Sequence, residues 1–259
     1  MNTRVVPATR GVRWLAEGWR MFRVAPLGWL ALVFGYVMAT ILLSLVPVVG
    51  ALAASLLVPV FTLGFMTASR AAQHAQPVEL PMLFAGFRER LPAQLVLGAA
   101  YTLGLAAAVA ASALVDGGEL LRSLTAAPDA KSEVDDEILH GVAATMAFYV
   151  PTMMALWFAP PLVAWHSMSA PKALFFSFVA CWLNWRAFIA YGLAVAFIAV
   201  VLPSLVLLLL ALTTGGAMRV QPRALLFPLL LILLPTLFAS YYASYRDVFG
   251  AQEGEAPPA

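Results

Sequence analysis

Residues 24–69 form an unbroken run of 46 positions without Asp, Glu, Lys or Arg. As one α-helix at ~1.5 Å per residue it would be about 69 Å long, more than twice the ~30 Å hydrocarbon core of a bilayer. A run of that length cannot cross a membrane once. It must cross, turn and return, and Pro47 and Gly50 in the segment SLVPVVG mark the turn.

Further charge-free stretches follow at 91–115, 138–171, 187–218 and 224–245. The candidate spans are 27–46, 51–69, 93–115, 141–165, 188–212 and 224–245. Only 11% of residues are charged and 63% are hydrophobic, against about 25% and 45–50% in soluble domains, which excludes a soluble enzyme. Inside hydrocarbon each segment must satisfy its own backbone hydrogen bonds, so these 20-residue runs are expected to be helices. The expected fold is all-α: a polytopic transmembrane helical bundle, one domain over 1–250, with six spans arranged as three hairpins. Pro59, Pro151, Pro160, Pro161, Pro203, Pro228 and Pro235 fall inside the spans and are expected to bend the helices rather than end them. Of these, Pro59, Pro160, Pro161 and Pro235 are the main kink candidates. The tail 251–259 is expected to be disordered.

Arginines at 4, 10, 13, 20 and 23 precede the first span. This superficially suggests a signal peptide, but the polar lead is too long and the apolar run exceeds the ~7–15 residues of such a segment. A retained helix is expected. Of the 15 basic residues, 11 lie in the N-terminus, the connections 70–92 and 166–187, and the C-terminal tail. The positive-inside rule then puts both termini in the cytoplasm of a bacterial inner membrane. The acidic loop 116–140, which carries Asp116, Glu119, Asp129, Glu133, Asp135, Asp136 and Glu137, falls outside. Arg219 and Arg223 dissent from this arrangement.

Three amphipathic stretches precede the odd spans: 10–23, 80–91 and 171–187. In the first, Trp14, Leu15, Gly18, Trp19 and Phe22 recur at helical spacing among Arg13, Glu17, Arg20 and Arg23. This is the pattern of a helix lying in the membrane interface, with Trp at headgroup depth and Arg toward phosphate. Each stretch holds an aromatic followed by arginine: Trp19-Arg20, Phe87-Arg88 and Trp185-Arg186. The lipid-interface candidates are these six with Trp14 and Arg23. The even spans also echo one another: Pro59 to Arg70, Pro161 to Lys172 and Pro235 to Arg246 all read Pro-x10-basic. Together these patterns suggest a threefold repeat of interfacial helix plus hairpin.

Chemistry leaves few traces. No ionisable residue falls inside the six expected spans, which disfavours a membrane carboxylate for proton coupling and a buried-arginine voltage sensor. His74, His140 and His166 are isolated, without metal-ligand spacing, and the one cysteine, Cys181, reads as buried and structural. Nucleophile-elbow and phosphate-loop motifs are absent, so neither an enzymatic activity nor a cofactor is expected. Small residues in span 3, including Gly98 and Gly104, suit close helix approach. Tyr241, Tyr242, Tyr245 and Arg246 read as an aromatic and basic collar at the end of span 6.

The motif Gly18-Trp19-Arg20-Met21-Phe22-Arg23, continuing through Pro26 to Trp29, followed by six hairpin-forming spans, resembles uncharacterised six-helix inner-membrane proteins. It is similar to the YciC-like group and, more distantly, to the membrane domain of some glycerophosphodiester phosphodiesterases. The resemblance implies no catalytic residue. The expected function is non-enzymatic, through lipid or protein interaction, for example in envelope maintenance. The expected partners are anionic headgroups on the cytoplasmic side, with a protein partner or a homo-oligomer as a further option and no nucleic acid. The rival is a small-molecule transporter or permease with a broken-helix site at mid-membrane, near Pro59, Pro160 and Pro235.

Overall fold

The computed structural model describes residues 3–125, 136–213 and 222–250 of the 259. Helices account for its regular structure, and there are no strands among the described residues. Six helical stretches are long and apolar enough to cross a membrane: Pro26–Ser44, Val49–Gln73, Leu91–Asp116, Ile138–Trp165, Trp185–Leu210 and Pro228–Phe249. Much of the acidic loop, 126–135, and the tail 251–259 lie outside the described residues, as does Arg219.

Helix α1 (Thr9–Val24) precedes the hairpin of α2 (Pro26–Ser44) and α3 (Val49–Gln73). A 3-10 turn, Leu80–Phe84, and the single turn α4 (Ala85–Arg88) precede α5 (Leu91–Asp116). After α6 (Glu119–Thr125), the return span comprises α7 (Asp136–Trp157) and α8 (Ala159–Trp165). Helix α9 (Ala170–Leu183) leads into α10 (Trp185–Ala196), a π-helical turn at Phe197–Val201, and α11 (Leu202–Thr213); α12 (Pro222–Phe249) ends the chain. Each hairpin is thus preceded by a short helical element. Two of these differ from expectation. The 80–91 stretch is a 3-10 turn followed by one α-turn, and the 171–187 stretch breaks at Asn184, so Trp185 and Arg186 open the fifth span.

The chain forms two compact units. The first takes the described residues of Met1–Thr40, Phe61–Ala85 and Ala180–Ala259. Here α1 packs on α10 and α12 because glycine leaves room. A Cβ on Gly11 would strike the Ala187 carbonyl, and one on Gly18 would strike the Thr236 carbonyl and Ser240. Trp29 is fully buried and its indole donates to the Met21 carbonyl at 3.1 Å, tying α2 to α1. Phe65 and Phe238 stack at 3.7 Å, and Tyr36 meets both rings edge-on. The extended N-terminus is fixed as well: Arg4 N–H donates to Val248 O at 2.8 Å, and Val6 N–H donates to Asn184 Oδ1 at 2.8 Å.

The second unit comprises Ile41–Val60 and Gly86–Val179. Helix α5 runs along α7, with Gly104 against the Thr152 side chain and Gly98 against the Leu56 backbone, as its small residues suggest. Pro160 and Pro161 end a helix here instead of bending it, contrary to expectation. Two consecutive residues without N–H leave the carbonyls four positions back, Leu156 and Trp157, without their helical donors. The helix restarts after Phe158. Ser177 of α9 fills the gap: its hydroxyl accepts Phe158 N–H and donates to Met154 O, both at 2.8 Å. Pro59 and Pro235, by contrast, sit inside the uninterrupted helices α3 and α12.

One contact recurs in both units. Gly18, of Gly18-Trp19-Arg20, meets the carbonyl of Thr236, one residue after Pro235. Gly86, of Gly86-Phe87-Arg88, meets the carbonyl of Val60, one residue after Pro59. The same glycine of the same short motif therefore lies on the same carbonyl after the repeat proline, a geometry suited to Cα–H···O contact. The third motif departs from the pattern. Asn184 takes the glycine's place, and its amide donates to Arg4 O at 3.1 Å.

Candidate functional site

Residues 10, 14 and 17 are spaced by four and three, so they share one face of α1. That face meets the end of α12. Arg10 donates to Asp247 through Nε at 2.5 Å and through Nη2 at 2.6 Å, and the Trp14 indole donates to the same carboxylate at 2.7 Å. Arg10 also pairs with Glu17 at 3.1 Å, and Glu17 in turn accepts from Arg246. The result is a continuous chain of charge-assisted hydrogen bonds from Trp14 through Asp247, Arg10 and Glu17 to Arg246. The two carboxylate side chains expose only 12% of their surface, so their pairing is less screened than a surface bridge. Burial alone would lower the Arg10 pKa. The hydrogen bonds and charges of Asp247 and Glu17 outweigh it and hold the guanidinium above its ordinary value.

A cleft of about 280 Å³ opens beside this network, lined by Glu17, Arg20, Met21, Val24, Ala72, Gln73 and Arg246. The last carbonyls of α3 at its wall are already used: Ala71 O accepts from His74 and Gln76, and Ala72 O from Ala75. Gln73 is exposed there.

The lipid-interface candidates divide. Trp14 is fully buried, with Phe188 and Tyr191 rings at 5.3 and 6.2 Å. Its assignment to the interface is therefore corrected: the residue shares the apolar face of α1, but that face is covered by protein. The other candidates are exposed. Trp19, Phe87 and Trp185 keep 39%, 38% and 52% of their surface, and Arg20, Arg23, Arg88 and Arg186 are exposed beside them. The Arg23 guanidinium lies 5.8 Å from the Trp19 ring centre, and that of Arg186 lies 5.3 Å from the Trp185 ring. None of these four arginines makes an ion pair among the described residues. The tyrosine collar is corrected too, since Tyr242 and Tyr245 are buried at 8% and 7% exposure. The kink candidates Pro59, Pro160, Pro161 and Pro235 are all buried.

Sequence reasoning missed Asp247 and the roles of Arg10 and Glu17. The available signal was the 10-14-17 spacing together with the adjacent opposite charges Arg246-Asp247. Asp116 was also assigned to the acidic loop; it is the last residue of α5, 4% exposed, and accepts the N–H groups of Gly118 and Leu120 and the Ser112 hydroxyl at 2.8–3.0 Å.

The chain is 38% identical to a "probable inner membrane protein" of Burkholderia thailandensis, over 97% of this chain and 95% of that protein. The chain belongs to that protein's family. With six helical stretches among the described residues long and apolar enough to cross a membrane, it is an integral, multi-pass membrane protein. No family profile matches it, and no solved structure does.

Proposed function

We propose that the chain is a non-enzymatic protein of the bacterial inner membrane, with both termini cytoplasmic, that works by holding anionic lipid at the cytoplasmic interface. One observation carries this reading. Each element preceding a hairpin, or the first turn of its span, presents an exposed aromatic beside an exposed arginine with no ion-pair partner among the described residues: Trp19 with Arg20 and Arg23, Phe87 with Arg88, Trp185 with Arg186. An aromatic ring sits well at headgroup depth, and a planar guanidinium suits a phosphate. A role in envelope maintenance and kinship with the YciC-like group and the phosphodiesterase membrane domain belong to this proposal.

The test replaces Arg20, Arg23, Arg88 and Arg186 together by Gln in protein reconstituted in mixed bilayers. Quenching of tryptophan by brominated anionic lipid, relative to brominated phosphatidylcholine, is expected to lose its anionic preference. A quadruple variant that inserts normally and keeps the wild-type preference would end the lipid reading.

The permease alternative rests on one observation, the buried Gln94. Its Nε2 donates to Pro160 O at 3.0 Å beside the helix break, while its Oε1 has no partner. Phe158, Leu162 and Val163, on either side of the Pro160–Pro161 pair, have no exposed surface, and Pro59 and Pro235 do not break their helices. These facts favour the lipid reading.

A further inference from the structure

The cleft beside the carboxylate network differs from the other exposed arginines because its walls come from three helices and its charges are unequal. Among its lining residues the cationic groups are Arg20 and Arg246, and the carboxylate is Glu17. Glu17 is occupied by two arginines, and Asp247 by Arg10 and Trp14. The surplus is one positive charge. Arg20 is exposed, and Arg246 donates one described hydrogen bond out of the five a guanidinium can make. The rest of the lining includes the apolar Met21 and Val24 of α1 and Ala72 of α3; Val24 is 58% exposed, one residue before the loop into the first span.

A cleft lined by donor-rich arginines and by apolar side chains at the foot of a span matches the junction of a phospholipid headgroup with its acyl chains. The volume, about 280 Å³, lies at the small end of ligand pockets. It fits a headgroup and the start of the chains, not a whole lipid. We propose that this cleft binds the phosphate of one anionic phospholipid, with Arg20 and Arg246 on the phosphate, the Gln73 amide at its edge, and Met21 and Val24 against the glycerol and first methylenes. This inference deepens the lipid reading above by assigning one discrete site with a stoichiometry.

The test is native mass spectrometry of the full chain released from bilayers of phosphatidylcholine doped with phosphatidylglycerol. Wild type is expected to retain one phosphatidylglycerol per chain. Arg20→Gln, which removes an exposed group outside the ion-pair network, is expected to lower that occupancy at least tenfold. Gln73→Glu, also at an exposed position, is expected to do the same by adding a repelling charge. Arg13→Gln, which removes an exposed arginine of α1 that does not line the cleft, should keep the bound lipid. Wild-type occupancy in both Arg20→Gln and Gln73→Glu would overturn the site, as would displacement of the lipid by millimolar inorganic phosphate, which would make the ligand a soluble anion. The two readings fail separately. Loss of anionic preference in the quadruple variant without any retained lipid would sink the cleft and leave the interface reading standing.

Discussion

Asp247 holds three described hydrogen bonds from two side chains that lie more than 230 positions earlier in the chain. Hydrogen bonds to charged groups contribute about 1.5–3 kcal/mol each, and removing one partner leaves the other's charge poorly solvated. Asp247→Ala is therefore expected to destabilise the protein by about 3 kcal/mol, the low end for a buried pair because the carboxylate still touches solvent. A thermal melt in mild detergent should show the drop. Asp247→Asn should recover part of it by accepting one of the donors; equal melting of all three proteins would remove the network from any account of stability. Asp247 was poorly legible in the sequence because a carboxylate near a chain end reads as solvated by default. Its partners are distant in sequence, and only their common face on α1 hinted at a receiver.

At the scale of the element, the short helix before each hairpin was legible from the spacing of its apolar residues, but its depth was not. Helical periodicity reports that one face is apolar, whether lipid or protein covers it, and so Trp14 was placed at the interface when it belongs to the core. The glycines of the two Gly-aromatic-Arg motifs decide how closely these elements approach the spans they cover. Gly18→Leu and Gly86→Leu are each expected to cost on the order of 1–3 kcal/mol or more, since both side chains would run into backbone carbonyls with no room to give. The measurement is the melting temperature of each variant beside Gly192→Leu, a control glycine with open space around it. Equal loss at 18 and 86, with none at 192, is the outcome expected of a repeated contact. The helix break at Phe158 was half legible: two adjacent prolines announced it, while the seryl hydroxyl that bridges it comes from another helix.

At the scale of the whole molecule, the placement of lysine and arginine leads to an expected topology. A reporter active only outside the cytoplasm should be on when fused within 116–137 and off when fused after Arg246; the reverse pattern would invert the sidedness used in the functional proposals. The first compact unit contains both the start and the end of the described chain, joined by the Arg4–Val248 backbone bond and the α1–α12 ion pairs.

The sequence by itself determined the class of the protein, its six spans and the short element before each hairpin. These follow from two local quantities, the length of charge-free runs and their periodicity, which the bilayer thickness converts directly into structure. Only the tertiary structure decided which apolar faces are covered by protein, which proline pair ends a helix, and where the carboxylates Glu17 and Asp247 find their arginines. Those outcomes depend on pairings between residues far apart in the chain. The few charges that local reading treated as topology markers are, at the meeting of α1 and α12, the groups that shape a cleft.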